Sequence, residues 1–234
     1  MALNIDTFKT RAVTALLFVI VMLGGLLWNQ WSFIILFTII HLGCWYEFVK
    51  LMKRIYAEKY GLYCLLGLIY ITLPVLMMLN LGFVGDMYTN DRINEITNTI
   101  RYSCIIPCGI IFSIWINDTM AYIVGSFIGK TPFSKISPKK TWEGTLGGAV
   151  LCIVVISLAG HFFVPAIQTK HWIAIATICA IFGAAGDLLE SKLKRMANVK
   201  DSGSIMPGHG GFLDRFDSLL IATPFVWLYV KLIF

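Results

Sequence analysis

Residues 12–46 read AVTALLFVIVMLGGLLWNQWSFIILFTIIHLGCWY, 35 consecutive positions without an Asp, Glu, Lys or Arg. A hydrocarbon core about 30 Å thick takes about 20 apolar residues as a helix, so this stretch has room for nearly two crossings. Trp28-Asn29-Gln30-Trp31 divides it, placing two polar residues between aromatics of the kind that sit at membrane interfaces. The expected structure is a helical hairpin in a bilayer, spanning 12–28 and 31–49.

The rest of the chain follows the same pattern. Uncharged runs also fill 60–85 and 144–169. Over all 234 residues, 58% are hydrophobic and 14% charged, where roughly 25% charged is usual for soluble domains. That balance excludes a disordered chain, a disulfide scaffold and a secreted enzyme. Seven spans are expected, the remaining five at 60–81, 102–129, 144–164, 171–189 and 216–234. The fourth has 28 residues, about 42 Å as one helix, so it has to tilt, break or protrude. Lys9 and Arg11 precede the first span as they would in a secretory signal. No small-x-small cleavage site follows, however, and a second span begins almost at once, so the first helix is read as retained.

Charge placement gives the orientation. Of the 19 Lys and Arg, 15 fall at the N-terminus and in the loops after spans two, four and six, against 4 on the other side. The positive-inside rule puts the basic side in the cytoplasm and the loop 82–101 outside. The net charge of +6 therefore reports topology and not nucleic-acid binding, since no basic stripe with interleaved aromatics exists. Cys44, Cys64, Cys104, Cys108, Cys152 and Cys179 lie in apolar stretches without CxxC spacing and read as small packing residues. With no repeat or linker, a single integral membrane domain over 1–234 is expected, with helices and an external loop in 1–100 and the chemistry in 101–234.

Charged groups within or beside spans are costly and point to function. Asp118 interrupts the fourth span. On a helix it shares a face with Tyr122, Gly125 and Gly129, although Gly125-x-x-x-Gly129 is fully explained by close helix packing. Ser137-Pro138-Lys139-Lys140-Thr141-Trp142-Glu143-Gly144 leads into span five. Its lysines and hydroxyls suit either phosphate binding or simple anchoring. At the end of span six, Asp187, Glu190, Ser191 and Lys194 share one helix face. Gly208, Gly210 and Gly211 then free the backbone to turn N–H groups toward an anion, and Asp214 and Asp217 stand at the start of span seven. Hard oxygen ligands beside bases suit Mg²⁺ holding a polyphosphate. His209, alone in this cluster, reads as a loop or phosphate contact, not a metal ligand.

These residues carry a family resemblance. Ser191-x-x-Lys194-Arg195, Lys200-Asp201 and Pro207-Gly208-His209-Gly210-Gly211-x-x-Asp214-Arg215-x-Asp217 resemble the signature of the phosphatidate cytidylyltransferases, or CDP-diacylglycerol synthases. Asn117-Asp118-x-x-Ala121-Tyr122-x-x-Gly125, the Ser137–Gly144 stretch and Gly186-Asp187-x-x-Glu190-Ser191 are similar to that family's other motifs, in the same order. The resemblance implies a polytopic helical membrane enzyme that joins CTP to phosphatidic acid, giving CDP-diacylglycerol and pyrophosphate. It also implies Mg²⁺ on Asp187 and Asp214, with Asp217, Asp118 and Asp201 nearby, and it allows K⁺ beside the Mg²⁺. Lys139, Lys140, Lys194, Arg195, Lys200 and Arg215 are its candidate phosphate contacts, and Ser137, Thr141, Glu190 and Ser191 belong to the same substrate-binding set. The expected partners are CTP, phosphatidic acid and the bilayer, with a homodimer left open. The expected location is a bacterial inner membrane, with the site facing the cytoplasm. A CTP-dependent polyprenol kinase and, more distantly, an ion-coupled transporter are the alternatives.

Overall fold

The computed structural model describes residues 5–83, 102–134, 136–205 and 210–233, and all of its regular structure is helical apart from an isolated bridge between Pro132 and Thr141. The external loop expected at 82–101 lies almost wholly outside the described residues. The helices are α1 (Ile5–Leu27), α2 (Gln30–Tyr56), α3 (Tyr60–Cys64), α4 (Leu73–Leu81), α5 (Ile105–Ile128), α6 (Trp142–Phe163), α7 (Thr169–Met196) and α8 (Leu213–Ile233). Five stretches are long and apolar enough to cross a membrane: Gln30–Cys64 and the four helices from α5 onward. Ala12–Leu27 and Leu68–Leu81 are shorter apolar helices. Side chains such as Leu16, Ile20, Leu66, Phe127, Phe162 and Leu232 lie more than half exposed on the outside. An apolar surface of this extent, on helices long enough to cross a membrane, marks a membrane-embedded bundle. The chain is an all-helical membrane bundle.

The α1–α2 hairpin forms where the sequence places it. Asn29 caps α2 by accepting from Ser32 N (2.9 Å), and the Ser32 hydroxyl accepts from Asn29 N in return (3.0 Å). Trp28 and Trp31 point outward, 81% and 65% exposed.

The third span departs from expectation. It is not one helix over 60–81: α3 ends at Cys64, and a π-helical turn, Leu68–Thr72, precedes α4. Pro74 lies in the first turn of α4, where its missing N–H would otherwise remove a hydrogen bond from a continuous helix. Irregular backbone at membrane depth needs protein partners. Thr72 supplies one, its hydroxyl accepting from Trp45 Nε1 of α2 (2.9 Å) and lying 3.0 Å from His41 Nε2.

The fourth span neither breaks nor needs to. As α5 it has 24 residues, about 36 Å, which tilt or modest protrusion accommodates. Small residues bring α5 and α6 together: a Cβ on Gly144 would lie 2.7 Å from Ala121 O, and one on Gly148 2.7 Å from Ala121 Cα. The packing reading of Gly125 and Gly129 holds, since both face Thr141 at the start of α6. Between α7 and α8, Gly186 packs directly on the backbone of Asp217 and Ser218, and Ser218 Oγ donates to Gly183 O (2.9 Å). Asp187 and Asp217 are thereby brought to the same crossing.

Candidate active site

The polar cluster forms at one end of the bundle, where the C-terminal parts of α2 and α7 meet the N-termini of α6 and α8. Asp118 of α5, Asp187 of α7 and Asp217 of α8 lie close enough to influence one another electrostatically, and Lys140 and Arg215 act on Asp118 in the same way. Asp217 is 8% exposed and accepts from Ser218 N at 2.6 Å. Asp118 is exposed in the bare bundle.

Lys140 reaches this cluster because its loop folds back on itself. The bridge between Pro132 and Thr141 is reinforced by Phe133 N donating to Lys140 O (2.8 Å) and Trp142 N donating to Thr131 O (3.0 Å). Glu143 ties the loop down from the first turn of α6, its carboxylate accepting from Lys130 N (3.2 Å) and Thr131 N (3.1 Å). Thr141, expected at the substrate, caps α6 by accepting from Gly144 N (3.1 Å). The Lys140 ammonium pairs with Asp187 Oδ2, and Ser191 Oγ lies 3.3 Å from Asp187 Oδ1. This pair is open, with side chains 32% and 29% exposed.

A second ion cluster lies deeper. Lys194, 13% exposed, pairs with Glu190 and with Asp214 Oδ1 (2.6 Å). The other Asp214 oxygen accepts from Ser202 N (2.9 Å), Ser202 Oγ (2.9 Å) and Gly211 N (2.8 Å). Asp214 therefore holds the loop between α7 and α8 at the start of the helix that carries it. An anion there also complements the α8 N-terminus. Gly210 sits beside it at φ +83°, where a Cβ would be strained and would lie 2.5 Å from Asp214 Oδ2. Gly210 thus takes the left-handed conformation and Gly211 turns its N–H to the Asp214 carboxylate, whereas Gly208 and His209 lie outside the described residues.

The sequence reading missed Glu47. This α2 carboxylate is 1% exposed and accepts from Phe212 N and Leu213 N, each at 2.9 Å, and from Ser202 Oγ at 2.7 Å. It closes the N-terminus of α8 from outside, as Asp214 does from within. The Ser202 hydroxyl, with a single proton, lies between the two carboxylates. Glycines make the room: side chains on Gly203 or Gly211 would collide with the Glu47 carboxylate, and one on Gly43, a turn earlier in α2, with the Phe212 ring. A signal was available, since Glu47 is the first acid after the long uncharged run.

Other candidates lie outside the cluster. Tyr122 is 78% exposed on α5, and Lys139, Lys200 and Asp201 are exposed in loops. Ser137 contributes its carbonyl to Lys140 N (3.1 Å), and Arg195 Nη1 donates to Val199 O (3.2 Å) at the end of α7.

The donors gathered here, among the described residues, are carboxylates, which suit a hard divalent cation. Among the described residues no three His, Cys, Asp or Glu side chains converge at the spacing of a metal site. Asp187 and Asp214 each hold a lysine ammonium, a positive charge of the kind that a bound metal would supply.

The chain resembles known proteins over most of the region that builds this site. Phosphatidate cytidylyltransferase of Bacillus subtilis (strain 168) is 42% identical over 137 residues, 57% of this chain and 47% of that protein. Phosphatidate cytidylyltransferase of Staphylococcus aureus (strain COL) is 35% identical over 181 residues, 76% of this chain and 62% of its own length. The chain thus spans about half to three-fifths of the curated relatives it matches. Residues 61–233, from α3 through α8, match the model of the Cytidylyltransferase family, and the chain belongs to that family.

Proposed function

We propose that this chain transfers CMP from CTP to phosphatidate, releasing pyrophosphate and leaving CDP-diacylglycerol, at the cytoplasmic face of a bacterial inner membrane. The observation that carries the reading is the open Lys140–Asp187 pair beside Asp118 and Asp217. The family membership and the names of the two relatives support it. The basic loops adjoin the same end of the bundle, which faces the compartment that holds CTP.

In this reaction a phosphate oxygen of phosphatidate forms a bond to the α-phosphorus of CTP as the bond to the β-phosphate oxygen breaks. The nucleophile is already ionised at neutral pH, so no general base is required. The difficulty is to bring one anion to another, which calls for cationic groups and alignment. Lys140 is placed to exchange a carboxylate for a phosphate oxygen, and exposed Arg215, close to Asp118, is placed to hold a second. Lys194, locked between Glu190 and Asp214, fixes α7 against the start of α8, keeping the carboxylates in register. Mg²⁺, held by Asp187 with Asp214, Asp217 and Asp118 around it, would neutralise the polyphosphate. All the groups named come from one chain, so the reading does not depend on a homodimer.

Purified protein in detergent with Mg²⁺, labelled CTP and phosphatidate is expected to yield CDP-diacylglycerol and equimolar pyrophosphate. Asp187→Ala is expected to abolish both. Release of CDP in place of pyrophosphate would overturn the reading in favour of a lipid kinase.

A further inference from the structure

The four basic residues after the long apolar run of α2 have so far served only to orient the chain. Their surroundings differ. Lys53 Nζ lies 5.0 Å from the centroid of the Tyr60 ring, a cation–π contact, and Lys59 is exposed in the turn that follows α2. Lys50 and Arg54, one turn apart on the same helix face, line a cavity of about 200 Å³ together with Leu51 and the loop residues Asp201, Ser202, Gly203 and Ser204. Among the described residues neither Lys50 nor Arg54 is paired with a carboxylate. With Asp201 as the only acid in its lining, the cavity carries a net positive charge.

The cavity is also tied to the candidate active site. Ser202 lines it, and the same residue donates through its N–H to Asp214, while its hydroxyl lies within hydrogen-bond distance of both Asp214 and Glu47, four residues before Leu51 on α2. Drug-sized sites occupy about 300–1,000 Å³, so this smaller space suits a compact group and not a nucleoside. A guanidinium and an ammonium one helical turn apart, with a serine hydroxyl and glycine backbone opposite, are the groups that recognise phosphate oxygens, the first bidentately and the second as a point charge.

We propose that Lys50 and Arg54, with the Ser202–Ser204 turn, form a phosphate-binding subsite whose cationic groups come from the N-terminal half of the chain. The identity of its substrates rests on the cytidylyl-transfer reading, whereas the binding of phosphate does not. Two sources share the chemistry: the terminal phosphates of CTP and the headgroup of phosphatidate.

The test uses the full chain in detergent and the double variant Lys50→Gln/Arg54→Gln, both substitutions lying at exposed positions. Pyrophosphate affinity, measured calorimetrically, is expected to fall about tenfold or more, while Lys59→Gln leaves it unchanged. In steady-state assays one KM is expected to rise by a similar factor with kcat within threefold of the parent. A rise for CTP assigns the subsite to the nucleotide's phosphates, and a rise for phosphatidate, varied as mole fraction in the micelle, assigns it to the lipid. The proposal is overturned if the parent binds no pyrophosphate, or if its affinity and both KM values survive within twofold in the double variant. A loss reproduced by Lys59→Gln overturns it as well, because general surface charge would then be the cause. A parent that binds pyrophosphate through Lys50 and Arg54 yet makes no CDP-diacylglycerol keeps the subsite and removes the reaction.

Discussion

The two lysine–carboxylate clusters use the same chemical parts for different ends. Lys140 and Asp187 are about one-third exposed and join a loop to α7, with a single further contact from Ser191. Lys194, Glu190 and Asp214 are 13%, 1% and 7% exposed, and Asp214 accepts from Lys194, Ser202 N and Gly211 N and shares the Ser202 hydroxyl with Glu47. An exposed pair contributes little to stability and exchanges partners readily. A buried one, once formed, is costly to break because the surviving charge stays desolvated. The open pair is therefore suited to meet substrate, and the closed cluster to hold the frame still while it does.

Substitutions at the two carboxylates offer the strongest way to break this contrast. Asp187→Ala is expected to reduce turnover by at least about 10³-fold while shifting stability by less than about 1 kcal/mol. Asp214→Ala should lose activity to a similar extent and also destabilise the protein by about 3–5 kcal/mol. Thermal unfolding in detergent measures the difference, and equal melting temperatures for the two variants would erase the distinction. Next in size, Glu47→Ala removes three hydrogen bonds to a buried carboxylate and should cost about 2–3 kcal/mol. Its effect should resemble that of Asp214→Ala on stability, and a variant as stable as the parent would detach α2 from the closed cluster. Lys140→Met should lower kcat/KM about 10²-fold with melting unchanged, because Asp187 remains solvated. A large loss of stability would mean that the pair is structural after all. The smallest effect belongs to Thr141→Ala, where loss of the α6 cap should cost about 1 kcal/mol and raise KM only through a looser Lys140 loop.

Legibility in the sequence divides along the same line. Asp118 and Asp187 stand out because a carboxylate in an apolar run has few structural reasons to be there, Asp214 and Asp217 because they follow a glycine-rich stretch, and helical spacing puts Asp187 on one face with Glu190, Ser191 and Lys194. The tight turn at Asn29 and the glycine packing of α5 on α6 were readable for a similar reason, since the residue type carries the geometry. Glu47 carries only the weaker sign of being the first acid after the long uncharged run: it bonds mainly to backbone N–H groups, which have no sequence signature, and three bases close behind it give it the look of an ordinary helix end. The break before α4 did have a local sign in Pro74, but hydropathy averaged over a span cannot see a backbone that changes its hydrogen-bonding register. Thr141 carries a use that its motif does not show: its hydroxyl accepts from Gly144 N and caps its own helix.

The Glu47 bonds also bear on the order in which the molecule can be completed. The carboxylate lies 166 residues ahead of Leu213, one of its hydrogen-bond donors. During synthesis α2 is therefore made and inserted long before the groups that satisfy its acid exist. Until α8 and the loop before it are made, Glu47 lacks the Ser202, Phe212 and Leu213 donors that hold it in the folded chain. The docking of α8 against α2 is then a late step, joining an earlier-made helix to one made well after it. A chain cut short before Phe212 would expose that unpartnered acid, a built-in mark of an unfinished molecule.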